Sequence, residues 1–386
     1  MQSAIKNTPD PVSENNKSLV LGIICLLITL VILFAGLWPF DFAPVNKVEW
    51  IQNGNGIRFY GQGAVFSQEP LVIHKTASRN SSVTIELLVR PHKETVNRVR
   101  TILTLFDGNQ PEPFMVGQWK KELIIRVPAV KASDRTRYRE ISVDNAFIKE
   151  TTHLIAVTSS KERTDVYING KLSGRFPRYS LIPQDRGLSG RILLGNSPDG
   201  NNPWNGTIIG LAIYNDALDG QDARDHYSSW QHPGQQLFLA NKKPIALYLF
   251  NEHVGKQIAD HSGHRNDLVM PASFHPLRKT FLEMPGKDQW FRRSNLTDIA
   301  INLFGFVPFG FFLSAWLLQV KNLTASRVLS ISIFSGFCLS LAIELTQVYI
   351  PTRDSSLMDV ISNVLGASIG VFLLKYTLPI FHKLKS

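Results

Sequence analysis

Hydrophobic and polar positions are sorted differently along three parts of this chain. Near the N-terminus, residues 19–37 form an uninterrupted apolar run, about the length needed to cross the hydrocarbon core of a bilayer. The core of a secretory signal is shorter, and no A-x-A-like cleavage site follows, so the run reads as an uncleaved anchor. Trp38-Pro39-Phe40 ends it with an interfacial aromatic and a helix breaker. Three further apolar runs close the sequence, at residues 299–320, 328–348 and 358–380. The loops between them are short, which predicts antiparallel neighbours.

The middle of the chain follows another rhythm. From residue 48 to 282, short apolar alternations are broken by Gly, Pro, Asn and Asp. Residues 83–89, 101–106, 123–127, 153–158, 165–168, 191–194 and 207–214 read as strands. Asn169-Gly170 after Val166-Tyr167-Ile168 predicts a two-residue hairpin turn, because both turn positions need positive φ. Helical periodicity is nearly absent, apart from a turn or two after Leu218. Many short strands with regular turns predict a sandwich or jelly roll. The fold class is therefore a four-span α-helical membrane protein with an all-β jelly-roll ectodomain. The expected divisions are a cytoplasmic tail (1–18), a first span (19–40), the β-sandwich (48–282) and a three-helix membrane part (298–384).

Charge sharpens this division. Of 31 acidic and 41 basic residues, all but six and eight respectively lie in residues 38–297. That stretch holds 33 basic and 25 acidic residues, +8 of the total +10. Such a balance suits anionic partners or plain solubility. The two cysteines, Cys25 and Cys338, sit in apolar runs, so the middle has no disulfide framework. Lys6 and Lys17 in the N-terminal tail, Lys321 and Arg327 between spans two and three, and Lys383 and Lys385 at the end outweigh Arg353, the lone cation of the opposite short loop. The positive-inside rule then puts both termini in the cytoplasm and the long middle segment outside.

Several stretches of that segment resemble the laminin G-like, concanavalin-like jelly roll. Ser82-Val83-Thr84-Ile85-Glu86-Leu87-Leu88-Val89-Arg90-Pro91 is similar to an early strand. His153–Thr158 and Asp165–Lys171 resemble its central hairpin, while Leu193–Asn196 and Trp204–Leu218 resemble its closing strands. One order departs from that pattern. Ala246-Leu247-Tyr248-Leu249-Phe250-Asn251-Glu252 looks like the segment that normally opens such domains, yet here it comes last. A permuted strand is expected, pairing antiparallel with residues 207–214. The resemblance implies a glycan or peptide binder; a spacer without ligand is the alternative. Asn196, Asp199, Asn201 and Asn202 offer hard oxygen ligands for calcium in one loop, and the same residue types also simply make turns. Otherwise no cofactor is expected.

Ionisable groups within spans cost about 2.5–3.5 kcal/mol each near a helix centre on insertion scales, so their placement is informative. Asp298 and Asn302 open span two, Glu344 and Gln347 end span three, and Asp359 and Asn363 open span four. With the topology above, all six lie toward the outer leaflet, with Arg353 and Asp354 in the loop over them. Ser332, Gly336, Ser340 and Glu344 step by four and give span three one small, polar stripe, and Asn363, Gly366 and Gly370 give span four a close-packing face. Asn302-Leu303-Phe304-Gly305-Phe306-Val307-Pro308-Phe309-Gly310 resembles the signature of the VanZ-like family. So do Glu344-Leu345-Thr346-Gln347, and Arg353 followed by Asp359, Asn363, Gly366 and Gly370. The eight polar residues are either helix glue or a site for a lipid or lipid-linked glycan headgroup, a cation or a partner helix. Glu344, Arg353 and Asp359 are expected to converge, with Arg353 folded down over Glu344 and with Asn302 and Asn363 in support.

The VanZ-like resemblance implies the bacterial envelope and no particular reaction. The chain is therefore expected in the bacterial inner membrane, with a lectin-like domain binding glycan or protein outside. Its role would be accessory to cell-envelope or exopolysaccharide assembly or to glycopeptide resistance. Its expected partners are the bilayer, an acidic glycan, a lipid-linked glycan or an envelope protein, and not nucleic acid. The alternative is a membrane enzyme acting on a lipid-linked substrate through the Asp/Glu/Arg cluster. The cluster has no nucleophile and no His, which counts against covalent chemistry.

Overall fold

The structure, a computed structural model, describes residues 11–74, 81–93, 98–108, 114–129, 138–182, 188–231, 242–284, 293–319 and 323–383. It divides into two compact units. One comprises Met1–Phe42 with Lys279–Ser386, the other Ala43–Arg278.

The β unit is built from two antiparallel sheets. The first runs in the order β1 (Val48–Trp50), β2 (Ile57–Tyr60), β14 (Asn205–Tyr214), β5 (Val83–Pro91), β10 (His153–Ser159), β11 (Arg163–Ile168) and β12 (Lys171–Pro177). The second runs β16 (Gln257–Ile258), β17 (Leu268–Val269), β3 (Val65–Ser67), β13 (Leu188–Leu194), β6 (Arg100–Phe106), β7 (Phe114–Trp119), β8 (Glu122–Pro128) and β9 (Tyr138–Val143), with β4 (Leu71–His74) also on β13. The seven strands expected from alternation are all present. Those missed include short strands of two to four residues such as β1, β2 and β3, the exposed edge strand β12, and β7, which is buried on both faces and does not alternate.

The alternation in β5 shows how sequence becomes core. Val83, Ile85, Leu87 and Val89 are fully buried in the main apolar cluster shared by both sheets, each contributing about 1.5–3 kcal/mol by burial. Thr84, Glu86, Leu88 and Arg90 take the opposite face. The β11–β12 hairpin turns at Asn169 (φ 51°) and Gly170 (φ 74°), the two positive-φ positions that the turn requires. The late strand β15 (Ala246–Tyr248) pairs antiparallel with β14, aligning Leu211 with Tyr248 and Ile213 with Ala246. Tyr248 and Phe250 are fully buried there, so the permuted segment completes the core. The helical turn expected after Leu218 extends to a three-turn helix, α2 (Gly220–Gln231).

The helical unit has four helices long and apolar enough to span a membrane. They are α1 (Pro11–Leu37), α3 (Arg293–Gln319), α4 (Ala325–Gln347) and α5 (Leu357–Lys383). The stripe of α4 is its packed face: Ser332, Gly336, Ser340, Glu344 and Gln347 are all buried. Ser332 accepts from Ser314 of α3 (2.9 Å) and Ser340 from Asn363 of α5 (2.9 Å). The contact of α3 with α5 is closer still. A Cβ on Gly366 would collide with the Leu303 carbonyl, one on Gly370 with the Val307 carbonyl, and one on Gly310 with the Ala367 carbonyl.

Candidate functional sites

In the helical unit the polar residues gather where α1 ends, α4 ends and α5 begins. Glu344, 1% exposed, accepts the backbone N–H of Ser356 (2.7 Å), and the Ser355 side chain bonds it as well. Ser356 immediately precedes α5, and its carbonyl accepts from Val360. Glu344 thus places its carboxylate on the positive end of α5, where unpaired N–H groups and the helix dipole favour an anion. Arg353 behaves in the opposite sense. Its Nη2 donates to the carbonyls of Gly36 (3.1 Å) and Ala35 (3.4 Å), the negative end of α1, and Gln347 Nε2 joins it on Gly36 (2.8 Å).

The expected fold-down of Arg353 over Glu344 is therefore not what forms. The two lie within electrostatic reach of each other and of Asp359, but no ion pair closes between them. Each charge is complemented by a helix end instead. Asp359 takes a hydrogen bond from Asn302 and faces Asp298, which is exposed. Asp354 is drawn outward into a pair with Lys279 (3.3 Å). Residues 279–284 further pin the α4–α5 loop: Lys279 donates to the Arg353 carbonyl, Leu282 N–H to Ser355 Oγ (3.2 Å) and Glu283 N–H to the Ser355 carbonyl (2.9 Å). Sequence reading missed Ser355, Ser356 and Lys279. The Ser356-x-x-Asp359 pattern, a helix-start signature, was the available signal. Three buried polar atoms stay unsatisfied in this cluster, namely Gln347 Oε1, Arg353 Nε and Asn363 Oδ1.

The calcium candidates close a turn on themselves. Asn196 Oδ1 accepts from Ser197 N (2.9 Å) and Asn202 N (3.2 Å), while Asp199 Oδ1 accepts from Ser197 Oγ and from Asn201 N (3.1 Å). Asn202 Nδ2 donates to Ser197 Oγ (3.2 Å). The loop's one carboxylate already accepts two hydrogen bonds. Among the described residues, no three His, Cys, Asp or Glu side chains gather as a metal site.

The β unit has two polar features that sequence reading passed over. The first is buried. Glu86, on the face of β5 away from the core, is fully buried beneath α2 and accepts from Trp230 Nε1 (3.0 Å) and Tyr214 OH (3.3 Å), with His226 Nδ1 at 2.6 Å. Burial and the Glu86 charge push the Tyr214 phenol above its ordinary pKa, so it stays a donor. These bonds fasten α2 to the sheet.

The second is a cavity of about 710 Å³ whose floor is the same face of β10, β11 and β12 and whose wall is residues 217–220 with Arg224 of α2. Cross-strand register sets Thr158, Asp165 and Arg175 side by side on that floor. Asp165, 5% exposed, accepts from Arg175 at both oxygens (Nε 2.9 Å, Nη2 3.1 Å) and from Arg163 Nε (3.1 Å). Tyr167, pushed toward higher pKa chiefly by burial, completes the lining.

Two family models match separate parts of the chain. Residues 245–381 match the VanZ/LLP1 family model, and residues 66–224 match that of the concanavalin A-like lectin/glucanases superfamily. The chain joins a VanZ-like membrane part to a concanavalin-like β-domain. The VanZ/LLP1 match begins inside the β-domain, beside β15. None of the curated proteins compared matches the chain.

Among solved structures, the receptor binding domain of botulinum neurotoxin D is similar at 15% identity and a TM-score of 0.38, covering 48% of this chain and 47% of that one. The chain thus spans about half of that structure. The Ruminococcus gnavus IT-sialidase CBM40 bound to α2,3 sialyllactose is similar at 14% identity and a TM-score of 0.32, covering 43% of this chain and 99% of that one.

Proposed function

We propose that this VanZ-like chain is a bacterial inner-membrane protein that carries its concanavalin-like domain outside the cytoplasm and binds an envelope glycan there. The observation that carries the reading is the 710 Å³ cavity on the outer face of β10–β12. Its volume suits a short oligosaccharide, and residues 66–224 match a lectin and glucanase superfamily model, which supports the reading. The loop charges support cytoplasmic termini. The helical part anchors the domain and meets an envelope lipid or partner. Its place is accessory to envelope or exopolysaccharide assembly or to glycopeptide resistance. Chemistry on a lipid-linked substrate is the weaker reading, because Glu344 and Arg353 are engaged at helix ends.

The test is retention of the full chain, reconstituted in nanodiscs, on immobilised dextran, galactomannan, polygalacturonate and glycerol-phosphate teichoic acid. Retention on at least one polymer, lost in Tyr167→Ala, is expected. Retention on none would contradict the reading.

A further inference from the structure

Two of the three arginines in the cavity share one carboxylate. A guanidinium has five N–H donors in a fixed fork. Arg175 spends two on Asp165, and Arg163 spends one. Asp165 is almost wholly buried, whereas Arg163 and Arg175 are 54% and 51% exposed. The floor carboxylate therefore grips Arg175 at two points and Arg163 at one, Tyr167 bonds Arg175 as well, and both guanidinium side chains keep about half of their surface exposed. Arg224 stands on the opposite wall.

Arg163, Lys171, Arg175 and Arg224 face three carboxylates, Glu162, Asp165 and Asp219, so the lining carries a surplus of one positive charge. Thr158 and Tyr167 supply neutral polar and aromatic surface beside it, the combination that suits the rest of a sugar ring. Pre-set guanidinium groups pair most strongly with planar or tetrahedral oxyanions.

We infer that Arg163 and Arg175, oriented by Asp165, form the acid-group subsite of this cavity and receive a carboxylate or phosphate oxyanion carried on a sugar polymer. This rests on the glycan-binding reading and names its ligand class. Neutral glycans lack the group that would use the fork, so the cavity selects for anionic polymers. Arg224 closes over the same anion from the α2 side.

The experiment measures affinities of the full chain in nanodiscs for oligogalacturonate, a glycerol-phosphate teichoic acid and neutral dextran oligosaccharides. One of the two acidic ligands binds at least tenfold more tightly than dextran, and which one it is identifies the oxyanion. Arg163→Gln, which leaves the Arg175–Asp165 pair in place, lowers that affinity roughly tenfold or more, the factor expected on losing one charge-assisted contact. Lys149→Gln, an exposed lysine outside the cavity lining, leaves it unchanged.

Equal affinity for dextran and the acidic ligands, or an Arg163→Gln affinity equal to that of the parent, overturns the inference while leaving glycan binding intact. Absence of binding to every polymer overturns the broader reading instead. Should Arg163→Gln fail to fold, modification of the parent protein by phenylglyoxal decides. Protection of Arg163 and Arg175 by the acidic ligand supports the subsite, and undiminished modification refutes it.

Discussion

Glu344 gives the sharpest test of how the helical part is held together. Its carboxylate accepts the Ser356 N–H at 2.7 Å while 1% exposed, so two changes at this position separate charge from hydrogen bonding. Glu344→Gln keeps an acceptor of nearly the same shape and removes the charge from the N-terminus of α5. The lost charge–dipole term is about 0.3–1 kcal/mol, reaching about 2 kcal/mol in partly buried settings. Relief of the cost of burying a carboxylate offsets part of that. Glu344→Leu loses the same term and also strands a buried N–H, at about 1–3 kcal/mol more. The expected order is parent, then Gln within about 1 kcal/mol, then Leu lower by a further one to three. The assay is the fraction of full-length chain still monodisperse in detergent after heating, together with its abundance in membranes. Equal losses for Gln and Leu would show that charge, not the N–H acceptor, is what matters at this position. A Leu variant as stable as the parent would refute the helix-end reading outright.

Other consequences follow from packing and titration. Gly366→Ala and Gly370→Ala force α3 and α5 apart and should cost at least about 1–3 kcal/mol in the same assay; Gly305→Ala, with nothing within 4 Å, should be neutral or slightly stabilising. Tyr248→Ala removes a fully buried ring from the permuted strand together with its 2.6 Å bond to the Asn266 carbonyl, and should destabilise the β-domain by about 3–5 kcal/mol in denaturant titration of the full chain. His153 is held below its ordinary pKa of 6.5 by burial, and its Nε2 accepts the Ile148 N–H at 3.0 Å, a bond only the neutral ring can take. The unfolded chain therefore binds this proton more readily, so β-domain stability is full above about pH 6.5 and falls as the pH drops below it. Unfolding midpoints between pH 7.5 and 5 should show a smaller loss for His153→Gln than for the parent.

What could be read in the sequence was whatever is local. Four apolar runs, the period-two alternation of β5 and the Asn169-Gly170 turn each depend on neighbours in the chain. The late strand was legible because Ala246–Phe250 keeps an opening-strand pattern out of order. The Asp165–Arg175 pair was not. Continuing the register Ile168↔Lys171 and Tyr167↔Leu172 would set Asp165 opposite Gly174, and only a bulge between Val166 and Tyr167 brings Arg175 across from it. Arg353 was misread for a related reason. The pairing with Glu344 weighed only groups close in sequence, whereas the carbonyls of Ala35 and Gly36 lie hundreds of residues away and announce themselves only once α1 is packed. Glu86 was read as an ordinary strand residue because nothing local shows that α2 will cover it.

The most direct measurement uses Lys171, at the cavity rim. In a chain with Cys25→Ala and Cys338→Ala, the native cysteines are gone and Lys171→Cys supplies a lone thiol. Its rate of labelling by a membrane-impermeant maleimide is followed on spheroplasts, with and without oligogalacturonate or teichoic acid. The account predicts rapid labelling of intact spheroplasts, slowed severalfold by the acidic polymer that binds and not by dextran. Labelling only after lysis, or a rate no polymer changes, would contradict a glycan-binding domain displayed outside the membrane.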